Sequence, residues 1–517
     1  MTSRRQREYH RAVQYDAVVI GAGHNGLACA AYLADAGRSV VVLERGDAVG
    51  GAARSGRVFA GFDANVSRFS YLVSLLPAQI IDELGLDVTL RRRRISSYTP
   101  SGNGGILIDE GDPEATRSAL GPDADAWDDV DELTRAVAER VFPTLTEPLM
   151  SSDAFRRHVG HEEAWSALFE RPLGELLEAK FTSDVVRGMV LTDALIGTFT
   201  HAHATDLVQN RCFLYHVIGG GTGHWDVPVG GMGTVSAALA KAAESRGAEL
   251  LTDVEVTQVD TNGESATVRA ADGRAFAARQ VFANVAPSVL DRLLGAAREH
   301  AVPEGAQLKI NMLLRRLPRL RDAAVTPEQA FAGTFHVNEG YRQLERAYRQ
   351  AVGGRLPDLP PCEVYCHSLT DHTILGPELQ AEGMHTLTLF ALQLPARLFR
   401  GDPEASLTAA GSAVLASLDS VLAEPLEDCL ADPACTEVMG PLEIESALGM
   451  PGGHIFHGDL QWPFAEVSGD VGRWGVETEH PNVFVCGAGA RRGGGVSAIP
   501  GRNAAMAALA DDHGRHG

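Results

Sequence analysis

One hexapeptide constrains this chain more than any other feature: Gly21-Ala22-Gly23-His24-Asn25-Gly26. Before it runs Asp16-Ala-Val-Val-Ile20, a short β-branched apolar run that reads as a buried parallel strand. After it comes an alanine-rich helical pattern, Leu27 to Ala36, closed by Gly37. A second strand, Ser39 to Leu43, ends at Glu44. Strand, glycine turn, helix, strand and acid make a βαβ unit of about 30 residues. Gly21 permits the tight turn, Gly23 lets backbone N–H groups approach a pyrophosphate, and Gly26 lets helix and strand pack closely. Ala22 and Asn25 complete the turn, and the anion sits on the positive end of the helix. Glu44 follows at roughly the 20-residue spacing of a carboxylate that accepts from ribose hydroxyls. The pattern predicts a dinucleotide site.

The unit does not stop at the ribose acid. Arg45 and then Gly50-Gly51-Ala52 give a second close backbone approach, as if the ligand continued past its first nucleotide. At the far end of the chain, Val483-Phe-Val-Cys486 reads as another buried strand entering Gly487-Ala488-Gly489. Gly493-Gly494-Gly495-Val496-Ser497 and Pro500-Gly501-Arg502-Asn503 then lead into a helix from Ala504 to Ala510. Proline suits a first helical turn. The glycines let a flat ring lie against bare backbone, and the helix dipole stabilises a reduced, anionic ring there.

These two motifs resemble the FAD-dependent oxidoreductases of the amine oxidase and phytoene desaturase superfamily. Across nearly the whole chain the pattern is similar to the subgroup of pyridine nucleotide-disulfide oxidoreductase domain-containing protein 2. The resemblance implies FAD, held by Gly21, Ala22, Gly23, Asn25, Gly26, Glu44, Arg45, Gly50, Gly51, Ala52, Gly487, Ala488, Gly495, Val496 and Ser497. Val256 matches the strand position that touches the adenine through its backbone. Those families commonly place arginine directly after the double glycine; here Ala52 stands there and Arg54 follows two positions on.

The expected fold class is α/β: a Rossmann-type FAD-binding domain with a parallel sheet, plus a mixed α+β substrate domain made of two inserts. Residues 1–110, 225–305 and 475–517 are assigned to the first domain, and 111–224 and 306–474 to the second. Thr234 to Arg246 reads as a helix, and Glu249 to Val259 and Ala266 to Ala270 as strands, with hairpin turns at Asn262-Gly263 and Asp272-Gly273. Gln280 to Ala283 is a buried strand running into Asn284. In the inserts, Leu173 to Leu195 has helical spacing, whereas Leu308 to Leu314 and Thr386 to Leu392 read as strands.

Composition removes other classes. A net charge of −22 argues against nucleic-acid binding, which needs a basic face. The seven cysteines form no Cys-x-x-Cys pair, so a dithiol redox centre is not expected, and a reducing, cytoplasmic setting is. No apolar run reaches the ~20 residues of a bilayer span. Arg4, Arg5, Arg7 and Arg11 read as a frayed basic arm, not a signal peptide, and peripheral membrane contact stays open.

Four residues are the candidates for chemistry. Lys309, one of only three lysines with Lys180 and Lys241, opens an apolar strand. The resembling amine oxidases place a lysine on the matching strand to hold a water near flavin N5. Tyr71 lies where the resembling families pass the flavin ring. His203, in His201-Ala-His203, and His457, in a glycine-rich loop with His454, are candidates for proton transfer. No carboxylate or cysteine stands at ligand spacing from these histidines, so no metal is expected. The expected activity is hydride removal from a largely apolar small molecule, with electrons passed to oxygen, a quinone or another acceptor. Amine oxidation, redox-neutral polyene isomerisation or saturation, and a non-catalytic, flavin-stabilised interaction protein are the alternatives. The electron acceptor and the oligomeric state stay open.

Overall fold

The computed structural model describes residues 13–296 and 303–515, so Arg4, Arg5, Arg7 and Arg11 lie outside the described residues. Within Val13–Ile20, Ala17, Val18 and Val19 have apolar side chains buried on both faces, which only a central strand can satisfy. Val40–Leu43 and Ala275–Ala283 flank that strand in parallel. Glu249–Leu251 extends the sheet on one side, and Ala266–Ala270 and Val256–Thr261 extend it antiparallel on the other. Val483–Val485 pairs in parallel with Ala275–Ala283, which brings the end of the chain into the sheet of its beginning.

The first helix, His24–Asp35, is buried almost all round and packs against both Gly233–Ser245 and the terminal helix Ile499–Arg515. Small residues make that approach feasible: a Cβ on Gly501 would lie 2.0 Å from the Asn25 carbonyl oxygen. The terminal helix is also tied down by Arg502, whose Nε donates to Glu83 at 2.9 Å and Nη1 to the Thr146 carbonyl at 2.9 Å.

A second seven-stranded sheet runs Thr436–Met439, Leu308–Leu314, His385–Ala391, Cys362–Tyr365, Thr334–Val337, Ile95–Ser101, Gly104–Asp109. Leu308–Leu314 is buried at every position and forms its spine. The hairpin of Ile95–Ser101 and Gly104–Asp109 belongs here, since Thr334 and Phe335 pair with Ser97 and Tyr98. The sequence boundary at residue 110 is therefore misplaced for the sheets: the crossing comes before Ile95.

The stretch Leu173 to Leu195, with its helical spacing, folds as two helices, Leu173–Lys180 and Asp184–Thr192. Asp123 breaks it by accepting from the N–H groups of Thr182 at 2.8 Å and Ser183 at 2.7 Å. The strand-like stretch Glu249 to Val259 divides into Glu249–Leu251, which pairs in parallel, and the start of Val256–Thr261, which pairs antiparallel. All seven cysteines are free and buried. Among the described residues no helix is long and apolar enough to cross a membrane.

Candidate functional site

A cavity of about 820 Å³ runs from the glycine turns of the first sheet to the strands of the second. That is in the upper range for small-molecule and cofactor sites. At the nucleotide end the backbone leaves no room for side chains. A Cβ on Gly26 would sit 2.2 Å from the Gly21 carbonyl oxygen, and one on Gly51 would sit 2.9 Å from Gly23 Cα. The Gly50 N–H donates to the Ala22 carbonyl at 2.7 Å, locking the two glycine turns together. Asn284, at the end of its strand, donates through its backbone to Ile20 at 2.8 Å and through Nδ2 to Gly21 at 3.1 Å. Glu44 accepts from the N–H groups of Ala22 at 2.8 Å and Gly46 at 2.9 Å, which holds its carboxylate at the cavity wall.

Gly21, Gly23, Asn25, Glu44, Arg45, Gly51, Ala52, Val256, Ala488, Gly495 and Val496 all line the cavity. Ala22, Gly26, Gly50, Gly487 and Ser497 are outside its lining, where they set the backbone spacing. Arg54 lines the cavity in addition to Ala52, so a guanidinium is supplied from two positions farther on.

The middle of the cavity is where the two ends of the chain meet. His24 shares a hydrogen bond with the Gly495 carbonyl at 3.1 Å. His24 Nδ1, Asn25 Oδ1 and His457 Nδ1 are buried and have no protein partner. Buried polar atoms are seldom left so. Three of them beside a glycine cradle fit an extended dinucleotide that brings its own donors and acceptors.

Lys309 is 2% exposed, and its Nζ donates to the Ser67 carbonyl at 2.8 Å and the Phe69 carbonyl at 2.5 Å. Burial pushes its pKa well below the ordinary lysine value, against a weaker opposing pull from Glu437. Its Nζ stands 4.9 Å from the Tyr71 ring centroid. Tyr71 packs on Tyr365 at 4.8 Å and Phe390 at 6.2 Å between centroids. Burial, with the His454 and His24 charges, lowers His457 to about 4, so its imidazole is neutral at pH 7.

Lys309, Tyr71 and His457 therefore share one cavity. His203 does not. Its Nε2 lies 2.9 Å from Glu178 and 3.2 Å from the Tyr341 hydroxyl, at an exposed position outside the cavity lining. Glu178, exposed on the helix Leu173–Lys180, captures it, and the assignment of His203 to the site is corrected. His201 packs against Tyr348 instead of joining His454, which faces Asp459 at 3.8 Å.

The far end of the cavity was not anticipated. Arg93, Asp193, His336, Glu363, Tyr365 and Phe390 line it. Burial, then the neighbouring Glu339 charge, raises Glu363 to about 8, and burial raises Asp193 to about 6. These residues come from five separate stretches of chain, and no local motif marks any of them.

Comparison with known proteins agrees with this geometry. The family profile described as flavin containing amine oxidoreductase matches residues 26–321, more than half of the chain. An uncharacterized protein of Mycobacterium tuberculosis is 49% identical over 524 residues, covering 96% of this chain and 97% of that one. The mouse pyridine nucleotide-disulfide oxidoreductase domain-containing protein 2 is 29% identical over 572 residues, covering 96% and 94%. Among solved structures, a putrescine oxidase variant redesigned in its cofactor binding superposes with a TM-score of 0.58 at 18% identity, covering 97% of this chain and 99% of that one. At that identity the likeness is one of fold.

Proposed function

This chain belongs to the flavin containing amine oxidoreductase family, and from that premise we propose that it dehydrogenates a largely apolar organic substrate. It is an oxidoreductase and its cofactor is FAD. Bound FAD supplies a hydride acceptor whose electrons leave to oxygen, a quinone or another carrier. The two glycine turns would hold its pyrophosphate, Glu44 its ribose, Val256 its adenine, and Gly495 with Val496 its ring.

The protein's own residues supply orientation, dryness and a proton acceptor. In its unprotonated form, which burial favours, Lys309 has two N–H bonds, and both are accounted for by the Ser67 and Phe69 carbonyls. One lone pair is left to accept the substrate proton or to hold a water that does. His457, neutral at pH 7, is a second acceptor on the same cavity. Burial disfavours the protonated form of both, which keeps them free to accept a proton at the cost of basicity.

One observation carries the apolar reading: Leu72, Met189, Ile196, Phe390, Ile455 and Phe456 are among the residues that wall the cavity. The test is anaerobic bleaching of the purified yellow protein by a panel of polyenes, terpenoids, lipids and amines. An apolar alkene or polyene should bleach the flavin and gain a double bond. Bleaching by amines alone, or turnover without net electron transfer, overturns the reading.

A further inference from the structure

We propose that His336, Glu339 and Glu363 form a binding site for a divalent first-row transition-metal ion in the wall of the cavity, apart from the flavin groove.

The strands make the cluster. His336 and Glu363 are directly opposed on the antiparallel pair Thr334–Val337 and Cys362–Tyr365. Just past the first strand, Asn338 takes a left-handed backbone (φ +54), and Glu339 follows it. His336 Nδ1 is 2.5 Å from a Glu339 oxygen and 4.0 Å from a Glu363 oxygen. One ligand atom from each of the three lies within 4.8 Å of the others. Metal bonds of ~2.0–2.2 Å set tetrahedral ligand–ligand edges of roughly 3.3 Å, between those two separations.

A second observation points to a missing partner. Glu339 is 1% exposed and Glu363 3%, yet Glu339 Oε1 accepts no hydrogen bond. Among the described residues, neither carboxyl group has a lysine or arginine within ion-pair distance; His336 is the ion-pair partner of each, and Glu363 also accepts from the Tyr365 hydroxyl. Arg93, the nearby cation, lies over the Tyr365 ring instead. Two buried carboxyl groups facing one imidazole, with no lysine or arginine to pair them, are held toward the neutral form, and a bound cation is the partner that would let them ionise there.

The donor set selects the ion. One imidazole with two carboxylates suits zinc, manganese or ferrous iron; all-oxygen cages suit calcium and magnesium, and thiolates suit cuprous copper. Three protein ligands leave a coordination position open. Because His336 and Glu363 line the cavity, water or a substrate oxygen can take that position.

The test uses the flavin-loaded protein, purified without chelator or polyhistidine tag. Its metal content is measured by inductively coupled plasma mass spectrometry. The chelated protein is then titrated with Zn²⁺, Mn²⁺ and, anaerobically, Fe²⁺. We expect saturable binding of about one ion per chain for at least one of the three. Glu339→Gln and Glu363→Gln should each weaken it by more than the ~10–100-fold that losing a supporting hydrogen bond costs, with flavin content unchanged. The wild-type titration needs no variant to fold. Absence of saturable binding by any of the three ions at millimolar concentration overturns the proposal, as does binding that both variants leave untouched. A cluster that only relays protons or only meets an ammonium group gives the first of these results.

Discussion

The cofactor groove and the substrate chamber share one cavity but are built in opposite ways. The groove is made by leaving side chains out: Gly23, Gly26 and Gly51 stand where any Cβ would strike backbone or Asn284. The chamber is made by putting side chains in, with Arg93, Asp193, His336 and Glu363 carried there by separate strands and a helix end. A site of bare backbone depends on spacing and accepts almost no substitution. A site of side chains depends on long-range pairing and can change what it binds while the cofactor stays in place.

The sharpest way to break this comparison is Lys309→Met. Loss of a positioned proton acceptor should slow flavin bleaching by ~10²–10⁴-fold, while the 450-nm absorbance per chain stays at the wild-type value. Parallel loss of flavin would show that chamber and groove are one unit.

Next in size is Gly26→Val. A side chain placed 2.2 Å from the Gly21 carbonyl oxygen forces the helix off the strand. Overpacking of this kind costs about 1–3 kcal/mol. Spent on the groove alone, it weakens flavin retention by up to ~100-fold, read by equilibrium dialysis.

Acidification should separate the regions by sign. His457 is lowered to about 4, so between pH 6.5 and 4 the unfolded chain binds the proton that the folded chain refuses. Its contribution is complete above pH 6.5 and is lost as pH falls. Glu363, raised to about 8, and Asp193, raised to about 6, act the other way in metal-free protein, gaining stability as pH falls through those values. Denaturant melts at pH 7 and pH 5 should show His457→Asn losing less than wild type by about 1–2 kcal/mol. Glu363→Gln should remove the opposite trend. The smallest effect belongs to His203→Ala. Broken at an exposed pair with Glu178, it should shift stability by no more than ~0.5 kcal/mol and leave the bleaching rate unchanged.

The same contrast explains how much of the molecule was legible in its sequence. Gly21 to Gly26, Glu44 and the run from Cys486 to Asn503 could be read because the glycine spacing is itself a local motif, even where the partner it makes room for, such as Asn25 against Gly501, is far along the chain. Lys309 could be read because a lone lysine on an apolar strand is conspicuous. The break at Thr182 could not, since its cause, Asp123, lies 59 positions away. Residues 95–109 fell within the stretch assigned to the first domain, but their hairpin pairs through Thr334 and Phe335 with the second sheet. His336 and Glu363 each sit in a four-residue strand with no motif around them. Only the antiparallel register makes them neighbours, and register is not a local property.

The central claim is that both ends of the chain close on one FAD. Heat release from purified protein, followed by chromatographic quantitation of the supernatant flavin, tests it most directly. The account predicts about one FAD per chain in the protein as isolated or after reconstitution. A colourless protein that retains no flavin after incubation with excess FAD would contradict it.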